Sequence, residues 1–246
     1  MAIILKKTAE SASMTFKKIA IHGRSGIGKT TLAATAAPFN PLVIVTEKTG
    51  EESLQPAAIE AVYGKNTPGI LYDIDYVEAY TPEDFEAAVK YATKSPHDLI
   101  IFDSFSKASR LILKAAKKDN AHGLKAYGQH NDQAIALIED LMDQPKHVVC
   151  ICHTTRQQDG ESGDVLYQPA FEGKGFGEKF GYELAHILHL EIAHDDEGEP
   201  YRALRCHQGD TDKFAKNRGG LLKELEKPHL GEIINKLSGK TKKKAK

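Results

Sequence analysis

The sequence predicts an α/β fold, with a mostly parallel sheet flanked by helices and an antiparallel hairpin near the C-terminus. Three observations predict it. The segments Phe16–His22, Leu42–Thr46, Leu99–Phe102 and His147–Cys152 have strand length, and stretches of helical spacing separate them. Their apolar runs are nearly continuous, as a parallel sheet covered on both faces requires. Late in the chain, Ile187–Ala193 and Tyr201–Cys206 flank the acidic turn Asp195-Asp196-Glu197-Gly198-Glu199 as the arms of a hairpin.

The elements follow in order. A strand over Phe16–His22 ends at Gly23, a helix runs from Lys29 to Ala37, and Pro38 stops it. Leu42–Thr46 is a buried strand. A polar stretch with Gly50, Gly64 and Gly69 then leads to an alternating segment near Ile74–Ala79. Thr81-Pro82-Glu83-Asp84 opens a helix, with a hydroxyl cap, proline at the first helical position and acids in the first turn. Phe85, Ala88, Val89 and Ala92 continue it at helical spacing, and Pro96 follows its end. After the strand Leu99–Phe102, helices are expected at about 104–116 and 129–143, then the strand His147–Cys152 and a glycine-rich loop at 159–177. No internal repeat or long linker interrupts the pattern. One domain is therefore expected over residues 15–237, between a flexible N-terminus (1–14) and a basic, disordered tail (238–246).

Composition bounds the function. Hydrophobic residues make up 41% of the 246 and charged residues 27%, enough for an ordinary core. The longest apolar runs reach four or five residues against the ~20 that cross a bilayer, and the N-terminal apolar stretch is too short for a secretory signal. Three cysteines suggest no disulfide framework. A soluble cytoplasmic protein with no membrane partner is expected. Thirty-three basic against 34 acidic residues exclude a general polycation. Locally the balance differs: the last ten residues carry five lysines and no acid, either a solvated tail or a nucleic-acid arm.

Gly23-Arg24-Ser25-Gly26-Ile27-Gly28-Lys29-Thr30 matches the phosphate-binding loop pattern in full, between a predicted strand and a predicted helix. Glycines let the backbone turn so that N–H groups point inward, and the helix adds its positive end. Lys29 is expected at the β- and γ-phosphates and Thr30 on Mg²⁺, with Thr31 a further nucleotide contact. Asp103 ends the strand Leu99–Phe102 and would also hold Mg²⁺. Glu47 follows another buried strand, where a carboxylate can polarise a water for attack on the γ-phosphate; a loop glutamate would look the same. His153 closes the strand His147–Cys152, placed to sense the γ-phosphate. Alternation turns Cys150 and Cys152 to one face and His153 to the other, which argues against a shared metal site.

With these motifs in order, the chain resembles the RecA-like P-loop ATPases over about residues 16–220. It is most similar to the small phage-type members called the Sak-four group, single-strand annealing or recombination-mediator proteins. The resemblance implies a Mg-dependent ATPase that acts on single-stranded DNA and self-associates into a ring or filament, with a single-strand binding protein as a further partner. It makes Glu47 the catalytic glutamate and Asp103-Ser104 the Walker B ending, and it sets His153 at the γ-phosphate sensor. Lys216-Asn217-Arg218 resembles the element that reaches into a neighbouring subunit's ATP site; a solvated basic turn would read the same.

Two stretches match the family's DNA loops. The first, Lys114 to Gln129, carries Lys114, Lys117, Lys118 and Lys125 against one acid, Asp119. The second, about Arg156 to Phe176, offers Tyr167, Phe171 and Phe176 for stacking, yet its acids Asp159, Glu161, Asp164 and Glu172 outnumber Arg156 and Lys174. Two other classes compete. A small-molecule kinase needs an arginine-bearing lid, and the arginines here are few and scattered. A partition-type or regulatory switch ATPase needs a lysine where Arg24 stands.

Overall fold

The structure, a computed structural model, describes residues 16–119, 123–158, 165–172, 174–209, 212 and 214–239. Both the expected flexible N-terminus up to residue 14 and the lysines of the tail lie outside the described residues, as do Asp159, Glu161 and Asp164.

Strands β1 (Lys18–Gly23), β2 (Pro41–Val45), β3 (Asp75–Glu78), β4 (Leu99–Asp103) and β5 (His147–Gln158) pair in parallel, and β7 (His186–His194) joins β1 in the same sense. β8 (Pro200–Arg205) pairs antiparallel with β7, the predicted hairpin, and β10 (Leu225–Glu226) with β8. β6 (Val165–Pro169) folds back on β5 and β9 (Lys216–Asn217) on β7. The main path runs β10-β8-β7-β1-β5-β4-β2-β3. This is the RecA-like α/β order, in which β5 separates the strand that feeds the phosphate loop from the strand that ends in Asp103.

Period-two alternation sorts the continuous apolar runs onto two faces. Ile19, Ile21, Val43, Val45, Leu99, Ile101, Val149 and Ile151 pack against the helix that follows the phosphate loop and against α6 (Leu230–Leu237). Ala20, Leu42, Ile44, Ile100, Phe102, Val148 and Cys150 pack against α2 (Pro82–Lys94), α3 (Phe105–Asp119), α4 (Gly123–Asp143) and α5 (Lys174–Glu183). α2 starts where the sequence predicts: Thr81 accepts from the Asp84 N–H, and the Asp84 carboxylate accepts from the Thr81 N–H.

Several expectations change. The helix after the loop is a 3-10 helix, Thr30–Ala36, which buries Leu32, Ala33, Ala34 and Ala36 in the core. α6 docks on it so closely that a Cβ on Gly231 would come within 2.7 Å of Pro38. The polar stretch after β2 contains α1 (Pro56–Tyr63), opened by proline. Of the segment 114–129, expected to hold a DNA loop, all described residues are helical. The glycine-rich stretch 159–177 contains β6 and the start of α5, and Phe176 is fully buried there beside Phe105. Phe176 is thus core, unavailable for base stacking: its apolar area is already spent on α3 and α4.

Candidate active site

The phosphate loop forms because glycine tolerates its backbone. Gly26 and Gly28 have φ of 75° and 98°, the left-handed region that penalises a Cβ. At Gly28 a Cβ would also come within 2.5 Å of the Arg202 guanidinium, which sits 5.8 Å over the Tyr63 ring. Lys29, buried, donates to the carbonyls of Gly23 and Arg24, each at 2.8 Å. Burial lowers its pKa, and the charges of Asp103 and Glu47 oppose that shift. Thr31 Oγ1 donates to the Gly28 carbonyl at 2.9 Å and braces the turn. The Arg24 side chain instead crosses to β6 and donates to the Tyr167 hydroxyl at 3.0 Å, while Ser25 is exposed and Ile27 packs on the core.

Register brings the other candidates to the same edge. Val45 pairs with Asp103 and Asp103 with Ile151, so Glu47 and His153 each stand two residues beyond a partner of the central strands. Ser104 Oγ donates to Glu47 Oε1 at 2.6 Å, and His153 Nε2 meets the same oxygen at 2.6 Å. Thr46 Oγ1 accepts from the Ser104 N–H at 3.0 Å and donates to its carbonyl at 2.9 Å, which ties the end of β2 to the end of β4. Ser106 accepts from the His153 N–H at 2.9 Å and donates to the Ala170 carbonyl at 2.6 Å.

These contacts set the charges. The hydrogen bond from His153, aided by Ser104, takes Glu47 down to about 2. Burial takes Asp103 up to about 6, against a hydrogen bond from Thr30. Asp103 Oδ2 is buried without a hydrogen-bond partner among the described residues. An orphaned carboxylate oxygen beside a threonine hydroxyl is suited to a divalent cation. Beyond Glu47 opens a cleft of about 490 Å³ lined by Lys48, Tyr80, Lys107, Arg110, His153 and Phe171 among others.

A family model described as an AAA domain matches residues 15–219, a span that contains the loop, Glu47, Asp103, His153 and Arg218. The chain belongs to the AAA domain family. It is an AAA-type P-loop ATPase of RecA-like fold. Among solved structures, the AAA domain is similar to a KaiC-like protein from the hyperthermophilic archaeon Pyrococcus horikoshii OT3, with 12% identity, 76% of each chain covered and a TM-score of 0.44. No curated protein matches it. No helix among the described residues is long and apolar enough to cross a membrane.

The remaining predicted residues of the AAA domain stand apart from this edge cluster. Lys216 donates to the Gly181 carbonyl of its own chain and is half-buried, whereas Arg218 is exposed. Lys114, Lys117 and Lys118 share the exposed side of α3, and Lys125 is exposed on α4. Lys118 is paired with Glu83 at 2.7 Å, and Lys117 lies 5.3 Å over the Tyr127 ring. Sequence reasoning missed Thr46, Ser106 and Arg202, and it noted Ser104 without a role. Small hydroxyl residues at strand ends and helix starts carry no periodic signal, and Arg202 reaches the loop only through the pairing of β8 with β7.

Proposed function

We propose that this AAA domain hydrolyses Mg-ATP at Gly23–Thr30 and couples turnover to single-stranded DNA in phage-type recombination, as an annealing or mediator protein. The observation that carries the ATPase chemistry is the Glu47–Ser104–His153 cluster on the edge shared with Lys29 and Asp103. Thr30 and Asp103 would hold Mg²⁺, which would neutralise phosphate charge as it develops. Lys29 exchanges its two carbonyl acceptors for phosphate oxygens. Glu47 orients the attacking water. With a pKa of about 2 it is a weak base while His153 holds Oε1. If His153 turns to the γ-phosphate, the main cause of that low value is removed and Glu47 becomes more basic as the substrate arrives.

Support for the DNA partner comes from α3. Lys107, Arg110, Lys114, Lys117 and Lys118 fall within an arc of about 100° on a helix of ~100° per residue, and they span roughly 16 Å. The stripe starts at the cleft beside Glu47. Its ion pairs, Arg110 with Glu172 and Lys118 with Glu83, have exposed or half-exposed members, so phosphates can displace the carboxylates at little expense. Assembly would be head-to-tail, into a ring or filament, with Arg218 rather than Lys216 reaching the neighbour's phosphates, because Lys216 is engaged within its own chain.

The test is ATP turnover with and without single-stranded oligonucleotide, alongside anisotropy across a salt series. Stimulation is expected, with a log–log salt slope of about −3.5 if all five cations of the stripe meet phosphates. Lys117→Ala/Lys118→Ala should make that slope shallower by about one unit. Turnover indifferent to DNA, with no binding, would leave the regulatory switch reading in its place.

A further inference from the structure

Beneath the phosphate loop, three buried groups converge that ATP hydrolysis does not use. His22, the residue before Gly23, alternates to the face opposite Asp103 and His153. Parallel pairing sets it beside His189 of β7, and the two rings stack with centroids 4.4 Å apart and planes 7° from parallel. Asp212, on the segment before β9, brings Oδ2 to 3.4 Å from His22 Nε2 and 2.8 Å from His189 Nδ1. The side chains of His22 and Asp212 are wholly buried and that of His189 is 7% exposed. Close as they are, His22 Nε2, His189 Nδ1 and Asp212 Oδ2 are buried without a geometrically formed hydrogen bond among the described residues.

We propose that His22 Nε2, His189 Nδ1 and Asp212 Oδ2 bind one divalent transition-metal ion, with zinc the best fit. All three atoms lie within 4.8 Å of one another. The 2.8 and 3.4 Å separations are close to the ~3.3 Å edge of a tetrahedron of ligands with zinc bonds of ~2.0–2.1 Å. Water would complete the fourth position. Two imidazoles with carboxylate favour zinc or cobalt over magnesium, so this ion is separate from the one that accompanies ATP.

The surroundings orient the ligands as metal sites require. His22 Nδ1 meets Thr154 Oγ1 at 3.1 Å, so a proton on Nδ1 leaves the Nε2 lone pair free. Asp212 Oδ1 accepts from the N–H groups of Phe214 and Ala215 at 3.0 and 2.8 Å, which turns Oδ2 to the rings. Ligation requires the rings to splay from their stack by rotation about Cβ–Cγ, with both strands left in place. The ion would fasten β1, β7 and, through Thr154, β5 to the segment that leads into Lys216–Arg218.

Cobalt(II) added to the untagged, metal-stripped full chain gives the test. One equivalent should produce the visible absorption of tetrahedral cobalt and raise Tm, and zinc should displace it. His189→Gln and Asp212→Asn should abolish the absorption with circular dichroism unchanged, whereas Asp103→Asn should keep it. Should either ligand variant fail to fold, the wild-type spectrum alone decides. No visible band at saturating cobalt, with a Tm that responds to pH but not to metal, would mean that the cluster holds a proton and would overturn the proposal. A band that survives in folded His189→Gln would overturn it equally.

Discussion

The two edges of the central sheet use the same device to different ends. At the N-terminal edge, Lys18 donates to the carbonyls of Gln144 and Lys146, and Lys146 donates to those of Ser95 and His97. At the C-terminal edge, Lys29 donates to the carbonyls of Gly23 and Arg24. All three lysines are buried and all three bridge two carbonyls. Their acidic neighbours differ. Lys29 lies within the electrostatic reach of Asp103 and Glu47, and Asp103 has an oxygen with no donor. The acid that acts on Lys18 is the exposed Asp143. A carbonyl-bridging lysine closes a structure where its bonds are the whole story. It serves a site where a buried acid beside it is left unsatisfied.

The largest effect that could break this comparison is on turnover. Lys29→Ala should remove hydrolysis by at least about 10²-fold, because phosphate charge goes unmet in the transition state. Lys146→Met should leave the rate near wild type and lower stability by about 1–3 kcal/mol, since two buried carbonyls lose their donor. Steady-state ATPase and urea denaturation of both variants check this. A Lys146 variant as inactive as the Lys29 variant would erase the distinction between the edges.

A smaller effect sharpens it. Asp103 has a pKa of about 6 in the folded chain against 3.8 for an ordinary aspartate. Between those values the unfolded chain has released the proton and the folded chain still holds it, so stability falls as pH rises through this window. Above it the folded state carries a penalty of about 3 kcal/mol, taken as an order of magnitude for a fully buried group. Asp103→Asn should therefore stabilise the protein at pH 8, lose that gain by about pH 4, and forfeit Mg-dependent turnover. Urea midpoints at the two pH values read it out. An equal gain at both would mean that the carboxylate is not strained by burial.

Sequence legibility follows the same line. The phosphate loop, Asp103 and the central strands are local patterns, and each starts close to where the residues predict, although β5 runs on to Gln158, past the expected end at Cys152. Glu47 is legible as a strand-end residue, whereas His153, expected to close its strand, lies within β5 because pairing with β6 carries that strand on to Gln158; the hydrogen bond the two share depends on the register of β2, β4 and β5, which no local pattern encodes. α1 hid in a polar stretch because only Ile59 of its eight residues is buried. Phe176 read as a stacking residue because a glycine-rich neighbourhood resembles a loop; its burial comes from α3 and α4, distant in sequence. His22, His189 and Asp212 were invisible for the same reason, since strand pairing and a long return segment assemble them.

The central claim is that Glu47 turns a nucleotide-binding edge into a hydrolytic one. Single-turnover hydrolysis by Glu47→Gln, with ATP affinity measured separately by fluorescent-analogue displacement, tests it most directly. Binding within a few-fold of wild type with hydrolysis slower by about 10²–10⁴-fold is the expected result. Near-normal hydrolysis at equal ATP occupancy would contradict the account and make Glu47 a loop residue held by His153 and Ser104 for structure alone.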